Sequence, residues 1–337
     1  MKRSLIALAV LGTFGMGAAQ AADSVQLYGI IDLGVAHYSN GNGSVTKLGT
    51  GIQSGSRIGL KGTEDLGGGL TAMFQAETGF CANGGSSAVS TGGSVTPSTS
   101  SGGYVTAIGN QYCTGGGFMG RTSMIGLKGD FGTVAAGRMY TFTFNDQAAV
   151  DPFGYGLTGT IGNIGAIGAP SRASQMVAYV SPNFAGFNFG AGYVFGDGLP
   201  PMPTTPNKTT GAYNLHGGYN NGPLMVGLDY LRVNYNNGNP AAKHAMLVGT
   251  YDLGVAKLAA MYAENKLGNF DGTSAGKLQA WMLGATVPVG PGAILASYTQ
   301  SKNKDLANST SKQYAIGYTY ALSKRTNLYT SYAHISN

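Results

Sequence analysis

Basic and apolar residues alternate in one short stretch of this sequence. Arg57 and Lys61 alternate with the apolar Ile58 and Leu60. In an extended strand, residues two and four apart share a face, so both basic side chains are expected on one side. If the other side contacts lipid, the basic side must contact water, because an arginine facing lipid at the midplane costs about 2 to 4 kcal/mol.

A long segment with few charges begins and ends next to arginines. Arg121 opens a strand-like stretch, a second predicted strand runs over 133–142, and after Asp151 no charged residue appears until Arg172. A connection of roughly thirty residues without an obvious helix is uncommon unless it is functional or disordered. Its large apolar residues argue against disorder. We therefore expect this connection, the Asp151 loop, to fold into the lumen of a barrel; its candidate lining residues are Asp151, Phe153, Tyr155, Ile161, Asn163 and Ile164.

The residues that usually carry enzyme chemistry or metal binding are sparse. Four histidines are present (His37, His216, His244 and His334), and none lies in a recognisable nucleophile motif. Cys81 and Cys113 are the two cysteines, and in an exported chain an isolated pair is most simply a disulfide, with two reactive thiols as the alternative. A metal site would need further ligands near them, so neither a metal nor a cofactor is expected.

Composition and the N-terminus indicate an exported membrane protein without spanning helices. Residues 1–21 combine Lys2 and Arg3, an apolar core and a small-residue cleavage site after Ala21, which predicts a signal peptide and a mature domain over 22–337. The apolar stretch is about half the ~20 residues that a membrane anchor needs. Without Lys2 and Arg3, 18 of the 20 basic residues remain against 14 acidic ones, and they are scattered, which argues against nucleic-acid binding.

Alternating hydrophobicity predicts the fold class, an all-β transmembrane antiparallel barrel. Segments of roughly 9 to 13 residues alternate between apolar and polar positions, close to the length that crosses a bilayer as a tilted strand. About 15 such strands can be counted, and we read Val25 to Val35 as the first. Short turns alternate with long loops, which is typical of up-and-down strands with all long loops at one end. Tyr28 and other tyrosines near strand ends suggest an aromatic girdle. A soluble β-sandwich or repeat protein is the alternative, but neither gives a cause for the uniform strand lengths and the alternating loop lengths.

Several motifs together resemble the general-diffusion porins of Gram-negative outer membranes. They are Val25-Gln-Leu-Tyr-Gly29, Ser56-Arg-Ile-Gly-Leu-Lys-Gly-Thr-Glu-Asp-Leu-Gly67, Gly137-Arg138, Ala178-Tyr-Val-Ser-Pro-Asn-Phe-Ala-Gly-Phe187 and Leu322-Ser-Lys-Arg-Thr326. The resemblance implies a 16-stranded barrel, a homotrimer, a third loop folded inward, an outer-membrane location in contact with lipid and lipopolysaccharide, and passage of inorganic ions and small hydrophilic solutes.

By the same resemblance, basic residues of the barrel wall face the inward loop across a constriction. The matching positions are Arg57, Lys61, Arg121 and Arg172, followed by Lys128 below them and Arg138, whose parity matches lipid-side neighbours. Strict alternation would also point Arg121 outward, so it needs a bulge or a rim position. Basic groups opposite an uncharged loop concentrate anions. The sequence thus predicts a weakly anion-preferring pore, although Asp32, Glu77 and Asp151 would counterbalance part of that field.

Two other classes of barrel protein are compatible with this sequence. The alternatives are a barrel enzyme of lipase or protease type and a plugged adhesin or structural barrel.

The family's last strand ends in an aromatic residue, whereas this sequence stops at Asn337 about one strand short. An open edge would leave unpaired backbone groups in lipid. We therefore expect the last strand to be missing by truncation, rather than closure between the first and fifteenth strands.

Overall fold

The computed structural model describes residues 24–40, 43–83, 118–165, 170–196, 198–199, 209–235, 241–266, 276–307 and 309–337. The predicted signal peptide lies outside these residues, and so does Cys113. The signal peptide and the Cys81–Cys113 disulfide therefore stay predictions.

Within these residues the chain forms seventeen strands and one α-helix. The first nine strands are β1 Ser24–Ile30, β2 Leu33–Asn40, β3 Gly43–Thr50, β4 Arg57–Gly67, β5 Leu70–Gly79, β6 Thr122–Gly129, β7 Gly132–Tyr140, β8 Arg172–Val180 and β9 Phe187–Phe195. The remaining strands are β10 Thr209–Asn221, β11 Leu224–Tyr235, β12 Ala242–Asp252, β13 Lys257–Lys266, β14 Lys277–Val289, β15 Gly292–Asn303, β16 Thr310–Ala321 and β17 Asn327–Ser336. Helix α1 spans Phe142–Val150 and is followed by a short 3-10 helix at Ile161–Asn163.

Fifteen of these strands form one antiparallel sheet, in which every strand from β4 onward pairs with the next strand in the chain. The order is β1-β4-β5 and then β6 to β17 in sequence, while β2 and β3 form a separate hairpin. Tight turns join the strands at one end. Gly222 (φ +57°) and Gly290 (φ +57°) adopt the left-handed conformation that such turns require and that glycine reaches without a steric penalty. The predicted meander of about 15 strands is thus confirmed.

The two faces of the sheet differ as the sequence alternation predicts. In β12, Met246 and Val248 are 2% exposed, whereas Leu247 between them is 51% exposed. In β1, Val25 and Leu27 are similarly exposed. One face is therefore a continuous apolar surface of the kind that contacts hydrocarbon, and the other is the interior.

Among the residues described, no helix has both the length and the apolar character that a membrane span requires.

The first predicted strand is wrong in one respect, because the chain breaks at Asp32 into β1 and β2. The buried Asp32 carboxylate accepts the N–H groups of Gln53 and Ser54, both at 2.7 Å, and the hydroxyl of Tyr329. These bonds bend the chain out of the ladder, and β3 then pairs back onto β2. Along the described chain, β1 and β17 share no ladder; Tyr329 and Asn327 instead bond Asp32 and Gln53.

The long connection between β7 and β8 folds into the interior, as predicted, but it begins with a helix. We call residues 141–165 the inward loop. The strand predicted over 133–142 ends at Tyr140, because Thr141 caps α1 by accepting the N–H of Phe144 at 3.2 Å.

Helix α1 then packs against the inner faces of β10 to β13. Beyond the helix, the inward loop crosses to the far wall. A Cβ at Gly284 would meet Pro152 at 2.4 Å, and one at Gly317 would meet Phe153 at 2.9 Å, so glycines allow the loop to lie directly on β14 and β16. On β17, Ser331 accepts the N–H of Thr158 at 3.2 Å.

Candidate functional site

Three arginines come together where the strands meet the long connections. Arg57 is the first residue of β4, Arg172 is the first residue of β8, and Arg121 lies one residue before β6. Arg57 thus lies at the end of β4, and its alternation with Ile58 holds. Arg121 has the rim position that strict alternation requires, since it is outside the β6 ladder.

A single carboxylate, that of Glu77 on β5, lies between two of these guanidinium groups. Arg121 Nε is 2.6 Å from Oε1 of Glu77, and Arg57 Nη1 is 3.8 Å from Oε2. Tyr28 donates its hydroxyl to Oε2 at 2.9 Å and in turn accepts from Gln75 at 2.7 Å. Tyr28 thus faces the interior and supports Glu77, so its assignment to an aromatic girdle is wrong.

Tyr140 connects the third arginine to this group. Its hydroxyl accepts a hydrogen bond from Nη2 of Arg121 at 3.1 Å and another from Arg172. The guanidinium of Arg172 also lies 4.0 Å from the centre of the Tyr140 ring, within cation–π range. Because Tyr140 is the last residue of β7, it holds two like-charged groups side by side at the rim. We call Arg57, Arg121 and Arg172 with Glu77 and Tyr140 the arginine cluster.

Aromatic stacking joins the arginine cluster to the inward loop. The Tyr140 ring stacks on Phe144 of α1 at 4.7 Å, and Phe144 meets Tyr155 edge-on at 4.6 Å. Tyr155 adopts φ +60°, which is strained for a residue other than glycine. The wall and the inward loop therefore form one connected unit beside the arginines.

The other predicted basic residues lie farther from Glu77. Lys61 is exposed on the inner face of β4, with Nζ 5.5 Å from the Tyr28 ring centre. Lys128 pairs with Thr71 and Thr133 beside a short turn, near the opposite end of β6 from Arg121.

Arg138 lies near the arginine cluster but bonds to other groups. It donates to the Gly120 carbonyl at 2.5 Å and to the Ser174 hydroxyl at 2.8 Å. A register shift in β7 between Gly137 and Met139 lies beside it.

Asp151 organises the turn of the inward loop. Its buried carboxylate accepts the N–H groups of Phe153, Tyr155 and Ile161, each at 3.0 Å, and the Thr160 hydroxyl at 3.4 Å. Burial raises the pKa of Asp151 to about 6, against the opposing effect of these backbone donors. The carboxylate accepts these bonds within the loop, and Asp151 is 5% exposed.

The predicted apolar residues of the loop anchor it rather than line a passage. Phe153 (3% exposed), Ile161 (1%) and Ile164 (6%) are buried against the wall. Asn163 donates to the Gln313 side chain and to the Thr158 carbonyl, both at 2.8 Å.

A second polar group, which the sequence analysis missed, fastens α1 to the wall. His216 Nδ1 lies 2.9 Å from Oδ2 of Asp146, Thr143 donates to Asp229, and Asn214 donates to Asp229 at 3.0 Å. One carboxylate oxygen or ring nitrogen from each of Asp146, His216 and Asp229 lies within 4.8 Å of the others, a spacing that could hold a metal ion. The hydrogen bonds above already occupy these atoms. These five residues are far apart in sequence and form no motif, and the strand register brings them together.

Comparison with known proteins agrees with this architecture. The family model described as Gram-negative porin matches residues 7–337. An outer membrane porin protein of Bordetella pertussis is 32% identical, with 100% of this chain and 95% of the relative covered. Outer membrane porin protein 32 of Delftia acidovorans is 33% identical over 100% of this chain and 90% of its own length.

Solved structures show the same fold. An anion-selective porin from Comamonas acidovorans superposes with a TM-score of 0.73 at 32% identity, covering 93% of this chain and 89% of that one. An OmpF from Salmonella typhi shares the fold, with a TM-score of 0.66 at 18% identity over 92% and 90% of the two chains. These relatives are channels, which is evidence against the barrel-enzyme alternative. The match over nearly the whole chain and the inward-folded connection lead to one conclusion: this chain is a member of the Gram-negative porin family and an outer-membrane protein.

Proposed function

We propose that the channel of this porin is weakly anion-preferring, and that its narrowest part lies between the arginine cluster and the inward loop. The observation that carries the proposal is the balance of charge at the cluster, where three guanidinium groups lie near a single carboxylate, Glu77, which pairs with Arg57 and Arg121. Lys61 adds a further positive charge on the same wall. Fixed positive charge lining a narrow aqueous passage raises the local concentration of anions.

Interior carboxylates other than Glu77 do little to offset this charge. Asp146 and Asp229 are bonded to His216, Thr143 and Asn214. Asp32 and Asp151 are 7% and 5% exposed, and both accept several hydrogen bonds within their own turns. The described residues of the inward loop after Asp151, residues 152–165, carry no charge. The anion selectivity stated for the Comamonas acidovorans porin, 32% identical to this chain, supports the same preference here.

The wider set of partners follows from the family. The protein is proposed to assemble as a homotrimer, to contact outer-membrane lipid and lipopolysaccharide, and to let inorganic ions and small hydrophilic solutes diffuse down their gradients. Chemical cross-linking of the purified protein should yield a trimer as the largest major species, whereas monomers alone would contradict the assembly.

Planar-bilayer recording tests the channel and its selectivity together. Insertion of the purified protein should produce stepwise conductance increases, and a salt gradient should give a reversal potential of the sign expected for anions. A protein that inserts without conductance would contradict the open passage, and a cation-type reversal potential would contradict the proposed preference.

A further inference from the structure

Three side chains of the types that bind transition metals meet between α1 and the wall. Asp146 belongs to α1, His216 to β10 and Asp229 to β11, and we call these three residues the anchor triad. One carboxylate oxygen or ring nitrogen from each lies within 4.8 Å of the others, and Nδ1 of His216 is 2.9 Å from Oδ2 of Asp146. Zinc bonds imidazole nitrogen and carboxylate oxygen at about 2.0 to 2.2 Å, so one ion can contact both of these atoms.

Two facing glycines leave room for the anchor triad. Gly218 on β10 and Gly227 on β11 are cross-strand partners. A Cβ at Gly227 would lie 3.2 Å from Oδ2 of Asp146, and one at Gly218 would lie 2.8 Å from Nε2 of His216. Side chains at these two positions would crowd the carboxylate and the imidazole. The wall is therefore shaped to admit both groups at this point.

The anchor triad has no basic partner from the described part of the chain. There, neither Asp146 nor Asp229 has a lysine or arginine at ion-pair distance. Asp229 is 1% exposed, and a buried carboxylate without a compensating charge is costly. His216, even when protonated, supplies one positive charge for two carboxylates. A divalent cation would supply the missing charge.

Hydrogen bonds around the anchor triad orient its members as ligands. Nε2 of His216 is 3.2 Å from Oδ1 of Asn188. A neutral imidazole has one N–H, so donation from Nε2 leaves a lone pair on Nδ1 that faces the Asp146 carboxylate. Two acceptors 2.9 Å apart require a proton or a metal ion between them. Asp229 accepts from Asn214 at 3.0 Å, and carboxylates that ligate a metal are themselves hydrogen-bonded in this way.

A further oxygen donor, Gln147, lies on the wall-facing side of α1. It is 0% exposed, and among the residues described its side-chain oxygen and nitrogen have no hydrogen-bond partner. It follows Thr143 by four residues, so the two share one face of the helix, and a long helical side chain leans toward the preceding turn. Thr143 donates to Asp229. Gln147 is therefore directed toward the anchor triad and can supply a neutral oxygen ligand.

The anchor triad is open to the passage and selective in its chemistry. The side chains of His216 and Asp146 are 15% and 13% exposed, so an ion can reach them from the lumen, and water can complete its coordination. One imidazole with two carboxylates favours Zn²⁺ over Mg²⁺ and Ca²⁺, which prefer oxygen ligands alone.

We propose that the anchor triad binds Zn²⁺, and that the ion ties α1 to β10 and β11 and so fixes the start of the inward loop. The ion takes the place of the proton between His216 and Asp146. The inference rests on the fold and does not depend on the ion selectivity of the channel. Metal binding and bilayer recordings therefore test the two proposals separately.

Zinc titration of the full-length protein tests the proposal. The protein is purified in detergent without a histidine tag, and Zn²⁺ is distributed between it and a fluorescent zinc chelator. We expect one ion per chain, which millimolar Mg²⁺ or Ca²⁺ does not displace. In Asp146→Asn and in His216→Gln the affinity should fall at least about tenfold, since loss of even an outer partner of a metal ligand costs about 10- to 100-fold.

A matched control and a second readout separate this site from adventitious binding. His37 and His334 are exposed, and the variant H37Q/H334Q should bind Zn²⁺ like the wild type. In the wild type, Zn²⁺ should slow hydrogen exchange at the amides of α1, and in Asp146→Asn it should not. The proposal would be overturned by a wild type that binds no Zn²⁺ at micromolar concentration, by unchanged affinity in both single variants, by displacement with Mg²⁺, or by α1 exchange that does not respond to Zn²⁺.

Discussion

At Glu77, one carboxylate is shared by two guanidinium groups and supported by the Tyr28 hydroxyl. The alternation of Arg57 and Lys61 with apolar residues predicted their interior face correctly. The pairing of Glu77 with Arg121 could not be predicted from the sequence, because the residues are 44 positions apart and only the β5–β6 register brings them together. Tyr140 was missed for the same reason.

Removing the Glu77 charge should strengthen the anion preference. In Glu77→Gln the cluster keeps its arginines without a counter-charge. A unit charge about 6 Å from an ion in water contributes roughly 0.7 kcal/mol, with opposite sign for an anion and a cation, so we expect the anion-to-cation permeability ratio to rise about tenfold. Reversal potentials in a salt gradient measure this ratio. Glu264→Gln, on the outer face, is the control and should leave it unchanged. A fall in anion preference in Glu77→Gln would show that Glu77 serves the pore chiefly by positioning Arg121.

The buried carboxyl group of Asp151 should make the stability of the inward loop depend on pH. Its pKa in the folded protein, about 6, lies above the usual value of 3.8, so the folded loop binds a proton more tightly than the open loop does. Closure is then most stable below about pH 4 and weakens as the pH rises to about 6, by roughly 3 kcal/mol in total.

Hydrogen exchange at the amides of Phe153, Tyr155 and Ile161, corrected for intrinsic rates, measures this effect. Protection should fall between about pH 4 and 6 and level off above, and Asp151→Asn should abolish the dependence. Protection that instead rises with pH would mean that the three backbone donors dominate and keep the carboxylate ionised.

Strands and helix differ in how far sequence can predict them. The strands repeat with period two over long stretches, so β12 or β16 is evident from alternation alone. Helix α1 has no comparable apolar periodicity, and its sequence, Phe-Thr-Phe-Asn-Asp-Gln-Ala-Ala-Val, resembles an extension of β7. The Thr141 cap stabilises the start of the helix. Thr143 and Asp146 bond to β11 and β10, so the helix also depends on strands far along the chain.

The close approach of the inward loop to β14 leads to a prediction at the scale of the element. In Gly284→Val the new side chain would overlap Pro152, where a Cβ alone comes within 2.4 Å, and such crowding costs about 1 to 3 kcal/mol. The loop should move off the wall into the passage, which lowers single-channel conductance. Gly217→Val, on the outer face of β10 with open space around its Cβ position, should conduct like the wild type. Equal conductance of the two variants would mean that the loop does not narrow the pore at this point.

For the whole molecule, composition and alternation were sufficient to predict an outer-membrane barrel with one inward connection. They could not predict the break at Asp32, because that bend depends on a hydrogen bond from Tyr329, almost 300 residues away (|i−j| = 297). They also gave no reason to separate two classes of basic residue. Only the register divides the arginine cluster, which faces the inward loop, from Lys243, Lys266 and Lys302, which lie on the outer face.

That division provides the most direct test of the account. Arg57→Gln/Arg121→Gln/Arg172→Gln and Lys243→Gln/Lys266→Gln/Lys302→Gln each remove three positive charges from the same barrel, one set inside and the other outside. Reversal potentials in a salt gradient should show that the first variant loses its anion preference or becomes cation-preferring, while the second keeps the wild-type value. Wild-type selectivity in the arginine variant, or an equal shift in both variants, would contradict the claim that the arginine cluster lines the constriction.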